Sequence, residues 1–591
     1  MNLNYVAPMA SRKILPKTDP ETIAARLWSS LPWWVAPVVF CVLMIVYWPA
    51  LNGPILFDDL NLPVFNGAAL PSWMSYFSGV RPLYYLSLHL NYLVSGREIF
   101  AYHLTNLALH FLTGGLVFYL LRQLLEQTGS TEREASRLAL VGSLVFLLHP
   151  LQTEAVSYIA SRSESLSTPF AYAALAVLAA AGARPVGWAR SASILALLAA
   201  GTLVKEPVVA MAAVILLVDH WRAERNGSAG LRGNWRLHLP MAVGAALGSV
   251  GLVVYVSSRS GGSAGLSLAG ATWYGYLFTQ FKVIWIYIRL FMFPVGQNVD
   301  YRISQSGRLL DPFAILGLAG LIVLLLAAWK FRNRYPLASL GVAVFLILLS
   351  PTSSVIPIAD AAAERRAYLP SIGLLLILVE FLRRWRGPVW KNVVIYAAIA
   401  LLALATWQRN NAFGSMVAMW EDSARGNPRN ARAWVHLGAA YVQAGRCSEA
   451  VSVFERAQRL GYREQSFYWD YAAALECDKQ IDRAVAEYRR AIAIAPKAQA
   501  WTLLAALFER QGRWDEAFDA LDQAERLDPA YWEVYSFRGG AYLNLKRFEA
   551  AAAEYRRALE LRPDDALSLA GLTRASAALQ HGGGKRRPPA K

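Results

Sequence analysis

Cysteine is scarce, with three in 591 residues. That is too few for a disulfide scaffold or a cysteine-based zinc site. Charge is sparse and unbalanced: 17% of residues are charged, and 58 Lys and Arg against 41 Asp and Glu leave a formal charge of +17. Such a surplus invites a nucleic-acid partner. The bases, however, are scattered over short loops between apolar spans rather than gathered along a groove, which is the positive-inside pattern. A cleavable signal peptide is not expected. The first apolar run starts near Trp33, is long, and lacks a small-residue cleavage site, so it should remain as an anchor. No internal duplication of the spans is visible, which argues against a secondary transporter.

What the chain does have is apolar surface. Hydrophobic residues make up 55% of it, above the roughly 45–50% of soluble domains, and the mean hydropathy is +0.31. The excess lies between Trp33 and Trp407. The expected organisation is all-α. It comprises a cytoplasmic N-terminal segment 1–32, a polytopic membrane domain 33–408, a soluble helical repeat array 429–565 and a disordered basic tail 581–591.

Eleven membrane crossings are expected, at about Val35–Ala50, Tyr102–Leu121, Leu138–Leu148, Leu166–Ala181, Ser191–Val204, Val208–Val218, Leu239–Val256, Ala314–Trp329, Leu337–Leu349, Tyr368–Phe381 and Val393–Trp407. A twelfth apolar stretch, Trp273–Phe293, is rich in Trp and Tyr and carries Gln280, Lys282 and Arg289, so it reads as interfacial or re-entrant. The N-terminus is then inside. The cytoplasmic segments Met1–Pro32, Arg122–Arg137, Arg184–Arg190, His220–Arg236, Lys330–Tyr335 and Arg383–Lys391 hold 20 Lys and Arg, against about 11 in the opposite loops. Eleven crossings also place the repeat array on the non-cytoplasmic face.

The outward loops collect unusual polar residues. The first, LNGPILFDDLNLPVF, carries adjacent carboxylates Asp58 and Asp59. Two readings compete there: a catalytic base, or Asp59 capping a short helix after the turn Asn52-Gly53-Pro54. Later loops hold His149 and Glu154, then Lys205, then Asp300, then Glu364, Arg365, Arg366 and Tyr368. Outward cations next to apolar spans are expensive to keep. Lys205, Arg365 and Arg366 are therefore candidates for an anionic lipid phosphate; the competing reading is a structural ion pair, such as Glu364 with Arg365. His149 and Glu154 resemble metal ligands, but two residues from one loop do not define a metal site, and no metal is assigned. In the second span His103, Asn106 and His110 share one helix face, suited equally to helix packing and to substrate.

From Arg429 the sequence repeats at about 34 residues. Trp434, Tyr468, Trp501 and Tyr535 open the first helices. Gly438, Ala472, Ala505 and Gly539 let paired helices approach. Ala450, Ala484, Ala517 and Ala551 recur in the second helices, followed four residues on by Phe454, Tyr488, Leu521 and Tyr555. Pro496, Pro529 and Pro563 end units two to four. This is a four-unit tetratricopeptide pattern, enough to bury a continuous core. Cys447 and Cys477 fall at ends of neighbouring antiparallel helices. They form either a disulfide, if the array is periplasmic, or two buried thiols.

The order of these pieces resembles the transmembrane and tetratricopeptide-repeat O-mannosyltransferases, within the wider dolichyl-phosphate-mannose class. It runs from the early acidic pair through HPLQTEAVSYIASRSESL, LVKEP, FPVGQNVDY and ERRAYLPSIG to the repeats. The resemblance implies a glycosyltransferase C-type membrane fold, a polyprenyl-phosphate sugar donor (mannose by family) and transfer on the non-cytoplasmic face to a protein or glycan hydroxyl. Its first-loop acidic pair falls on Asp58 and Asp59, and its arginine motif on Glu364, Arg365 and Tyr368. Gln152 stands where the family loop often has histidine, and the repeats are few. The short repeats and the Gly/Pro-rich basic tail suggest a bacterial relative in the inner membrane, with periplasmic repeats and undecaprenyl phosphate as carrier. A ligase or polymerase of lipid-linked glycans, and a membrane scaffold recruiting partners through the repeats, are the competing readings.

Overall fold

A computed structural model describes residues 32–65, 71–258, 272–303, 311–387 and 390–583. The expected cytoplasmic segment (apart from Pro32) and the end of the basic tail lie outside the described residues. Every regular element among the described residues is helical. The chain divides into two compact units, Met1–Ser415 and Met416–Lys591.

Helix starts in the first unit follow local chemistry. Proline opens Pro82–Ser95, Pro312–Lys330 and Pro336–Leu349, where its missing N–H is no loss. Asp311 accepts from the amides of Phe313 and Ala314 at 3.0 and 3.4 Å, and Thr131 from that of Glu134 at 3.3 Å. Pro207 delays the helix expected from Val208: a 3₁₀ turn fills Glu206–Ala210 and the α-helix runs Met211–Asn226.

Small residues bring helices close. A Cβ on Gly341 would sit 2.3 Å from the Gly373 carbonyl oxygen, and one on Gly373 2.5 Å from that of Gly341. The helices Pro336–Leu349 and Ser371–Arg384 therefore touch backbone to backbone. Elsewhere apolar side chains face outward at helical spacing: Val38, Val42, Ile45 and Trp48, then Leu239, Val243, Leu247 and Val250, then Phe313, Leu316, Val323 and Leu326. Apolar stripes of this kind have no counterpart on water-soluble helices.

The count of eleven crossings is not reached by helix length and composition. Among the described residues three helices are both long and apolar enough to cross a membrane: Ile99–Gln127, Pro312–Lys330 and Trp390–Ala412. A fourth is counted if Glu132–Leu148 and Pro150–Ser157, bent by 53°, are one span. Val35–Leu51, Trp188–Val204 and Pro336–Leu349 are apolar but shorter. Helices of 14–17 residues measure about 21–26 Å, less than a hydrocarbon core of about 30 Å.

Trp273–Met292 is one continuous helix. It packs on Pro312–Lys330, where Trp285 donates to the Gly317 carbonyl at 2.9 Å, and its other long-range polar contacts run to connecting segments. Tyr276 donates to the Thr352 carbonyl at 2.8 Å, Gln280 to that of Ala361 at 2.9 Å, and Tyr287 accepts from the Ala363 amide at 3.1 Å. Lys282 pairs at 2.7 Å with Asp311, which caps the next helix. Both halves of this helix thus meet the connection after Leu349.

The second unit is a stack of antiparallel helix pairs: Ala431–Gln443 with Cys447–Arg459, Gln465–Cys477 with Ile481–Ile494, Ala498–Arg510 with Trp514–Leu527, and Trp532–Asn544 with Phe548–Leu561. Ala566–Gly583 closes the stack against Tyr555. The small residues sit where the sequence pattern puts them. A Cβ on Gly438 would come within 2.5 Å of the Phe454 ring, and one on Gly539 within 3.0 Å of Tyr555. Cys447 and Cys477 are joined in a disulfide, with Cα atoms 5.4 Å apart. Ser448 reinforces the same junction by donating to Asp478 at 2.6 Å.

Candidate active site

The two neighbouring carboxylates of the first loop behave differently. Asp59 is fully buried in the 3₁₀ turn Phe57–Asn61. One oxygen accepts from the Leu56 amide at 3.0 Å and the other from the Ala160 amide at 2.6 Å. This is the capping reading, extended to a loop about a hundred residues away. Burial raises the Asp59 carboxyl to about 7 despite the amides that pull it down. Asp58 is exposed, and its backbone amide donates to the Tyr158 hydroxyl at 2.8 Å.

Tyr158 joins this loop to Arg365. The Arg365 guanidinium lies 5.9 Å from the Tyr158 ring centre. Arg365 ion-pairs through Nη1 with Glu154, whose other oxygen accepts from the Arg365 amide at 3.0 Å. Burial works against the Arg365 charge, but the Glu154 carboxylate outweighs it and holds its pKa above the ordinary arginine value. The Arg365 side chain remains one quarter exposed. Arg366 is committed elsewhere: it donates to the carbonyls of Asp360 at 2.6 Å and Ala361 at 3.2 Å.

Two more ion pairs stand beside them. Lys205 pairs with Glu164, and Arg81 binds Glu206 through two contacts of 2.9 and 2.8 Å. Burial pushes the Lys205 amine below its ordinary value, and the charges of Arg81 and Arg365 add to that push. Three cations, each matched to a carboxylate, therefore share this end of the bundle with Asp58.

Several expected site residues are engaged by partners within the fold. Glu364 is fully buried and accepts from Gln297 at 2.7 Å, the Asn298 amide at 2.8 Å and Tyr301 at 2.6 Å. Its nearest cation is Arg409 at 3.7 Å. The expected Glu364–Arg365 pair is absent, because each has a better partner across the fold. Burial raises the Glu364 carboxyl. Asp300 accepts from the Arg302 amide at 3.3 Å, closing the loop that Glu364 anchors. His149 uses both ring nitrogens on backbone: Nδ1 accepts from Leu151 at 3.1 Å and Nε2 donates to Phe291 at 3.0 Å. It has no lone pair left for a metal, and burial lowers it to about 4. Among the described residues no three His, Cys, Asp or Glu side chains converge as a metal-binding group. Tyr368 donates to His110 at 2.9 Å, deep in the bundle. Asn106 bonds the carbonyls of Val156 and Tyr158, both at 3.3 Å, and accepts from Arg162 at 2.8 Å, so the polar face of Ile99–Gln127 supports the 149–164 loop.

Tyr158 and Arg409 escaped the sequence reading. Tyr158 had a weak signal, an aromatic inside a polar outward loop. Arg409 had none.

The tetratricopeptide repeat family model matches residues 401–461, 437–499, 474–531 and 502–566. A Caenorhabditis elegans protein O-mannosyl-transferase is 24% identical over 451 residues, covering 72% of this chain and 62% of its own. Protein O-mannosyl-transferases of Mus musculus and Drosophila melanogaster are 23% and 24% identical, covering 90% and 86% of this chain and 64% and 65% of theirs. The chain thus spans less than two thirds of the length of these relatives. A crystal structure of the tetratricopeptide-repeat protein YrrB is 21% identical over 30% of this chain and 91% of its own, at a TM-score of 0.24. The chain is a homologue, along most of its length, of proteins named protein O-mannosyl-transferases, and its second unit is built of tetratricopeptide repeats.

Proposed function

We propose that the chain is an integral membrane glycosyltransferase that moves a sugar from a polyprenyl-phosphate donor to a hydroxyl on the non-cytoplasmic face. Mannose and a protein acceptor follow from the names of its relatives. The outward apolar stripes support the membrane setting. Eleven crossings belong to this reading, with Trp273–Met292 interfacial or re-entrant and the shorter helices tilted or continued into their flanking loops.

The observation that carries the chemistry is the Tyr158 bridge between Asp58 and Arg365. Asp58 is the general base: its exposed carboxylate takes the acceptor hydroxyl proton as that oxygen attacks the anomeric carbon. The bond from the anomeric carbon to the phosphate oxygen breaks in the same step, with inversion. The polyprenyl phosphate leaves with the electron pair, and its growing charge is met by Arg365, with Lys205 and Arg81 nearby. Asp59 positions Asp58 by tying the turn to Ala160, and Arg366 holds the 360–361 backbone.

Radiolabelled polyprenyl-phosphate mannose, and other polyprenyl-phosphate sugars in turn, offered to membranes carrying the protein test this reading. Label entering protein or glycan from one donor supports it and names the sugar. Equal label with and without the protein for every donor contradicts it.

A further inference from the structure

At the end of the first unit opposite Asp58, four connections meet around a cavity of about 900 Å³. It is lined by the turn after Gln127, the end of Met211–Asn226, the turn 331–335 and the end of Ser371–Arg384. All four belong to segments that the charge pattern places in the cytoplasm. We propose that this cavity is a binding site for a phosphate-bearing headgroup of the cytoplasmic leaflet. The proposal rests on the membrane placement of this unit and not on the transfer chemistry.

Charge comes first. Arg225, Arg334, Arg383, Arg384 and Arg386 line the cavity. The opposing charges are Glu134 on its wall and Glu380, fully buried beneath it. Glu224 also acts on Arg225, so five cations face three carboxylates and leave a surplus of two, in a space of the size of small-molecule sites. Glu380 holds Arg383 at 2.9 Å and Arg384 at 2.7 Å.

The arginines are also pre-positioned. Arg383 donates to the Thr128 carbonyl at 3.0 Å, Arg225 to that of Arg332 at 3.3 Å, and Arg384 to that of Arg334. Arg384 and Arg334 lie 4.8 and 5.5 Å from the Tyr335 ring centre. These contacts fix one side of the Arg225, Arg334, Arg383 and Arg384 guanidinium groups and leave donors over. Arg334 and Arg386 are exposed, and among the described residues neither is paired with a carboxylate. Planar forks held in this way recognise phosphate oxygens. Part of the remaining wall is aromatic: Phe381 and Trp385 are exposed beside Pro336, while Thr128, Ser130 and Asn333 add polar groups. Basic pockets between helix ends on the cytoplasmic side, with aromatics at headgroup depth, suit an anionic lipid.

The test uses full-length protein purified in detergent, titrated with fluorescent phosphatidylglycerol or phosphatidylcholine. Phosphatidylglycerol is expected to bind saturably and at least tenfold more tightly than the zwitterionic lipid. The double variant Arg334→Gln/Arg386→Gln is expected to bind it at least tenfold more weakly, with helix content and thermal unfolding unchanged. Soluble glycerol 3-phosphate is the competitor. Displacement at matched concentration assigns the site to free phosphate compounds, and failure to displace assigns it to the lipid headgroup; either supports the site. Equal binding by the variant and wild type, or no preference for the anionic lipid, overturns it. Asp58→Asn protein is expected to bind the lipid normally, so a failure of the transferase reading leaves this result untouched.

Discussion

At the scale of the residue, two adjacent aspartates have opposite fates. Asp59 is spent on two amides, so Asp59→Asn offers only one acceptor oxygen and leaves the other amide facing an N–H. A buried donor left without a partner costs about 1–3 kcal/mol, and the variant should lower the unfolding temperature measurably. Its pH dependence has a definite sign. The folded-state pKa is raised to about 7, so Asp59 contributes stability at pH below its ordinary range and loses it as pH rises through about 7. Thermal unfolding of wild type should therefore fall across that interval, and Asp59→Asn should flatten the fall. A profile identical in both proteins would contradict this account. None of the decisive partners was legible in sequence. Ala160 stands 101 residues from Asp59, and Glu154 stands 211 from Arg365. The residue types that bear charge could be found, but not their pairings. The near neighbour Glu364 was the natural guess for Arg365, and the fold chose otherwise.

At the scale of the element, periodicity served well where packing is local. The repeat register placed Gly438 against Phe454 and Gly539 against Tyr555, because helix pairs within one unit are neighbours in sequence. Helix ends were less legible where proline intervened, as at Pro207 and Pro370. The Gly341–Gly373 contact was not legible at all, since it depends on which helices meet. Gly341→Val would drive a side chain into backbone, and overpacking of this kind costs about 1–3 kcal/mol or more. Loss of folded protein in detergent is the expected outcome, with Ala338→Val on the same helix as a comparison. The Cys447–Cys477 disulfide closes a sequence separation of 30 residues, worth roughly 3–4 kcal/mol on a chain-entropy account. Reduction should lower the unfolding transition of wild type and leave Cys477→Ser unaffected.

At the scale of the whole molecule, the first unit has two chemically distinct ends. One carries Asp58 and the ion pairs of Glu154, Glu164 and Glu206; the other carries the arginine cavity. The same division follows from counting Lys and Arg along the sequence, because the charge bias that orients a membrane protein acts on short loops. Crossing number was harder to read, because short apolar helices satisfy composition but not length. Reporter fusions after residues 228 and 302 should read cytoplasmic and non-cytoplasmic respectively. On the reading that Trp273–Met292 is interfacial or re-entrant, a fusion at 265 should read the same side as 302. Opposite sides for 265 and 302 would contradict this.

The central claim is that Asp58 and Arg365 act as one transfer site. The most direct test is the rate of sugar transfer from the active polyprenyl-phosphate donor, compared among wild type, Asp58→Asn and Arg365→Gln at equal folded protein. Loss of a general base should slow transfer by roughly 100-fold or more, and loss of the phosphate-stabilising cation by a similar factor. Wild-type rates in both variants would contradict the account.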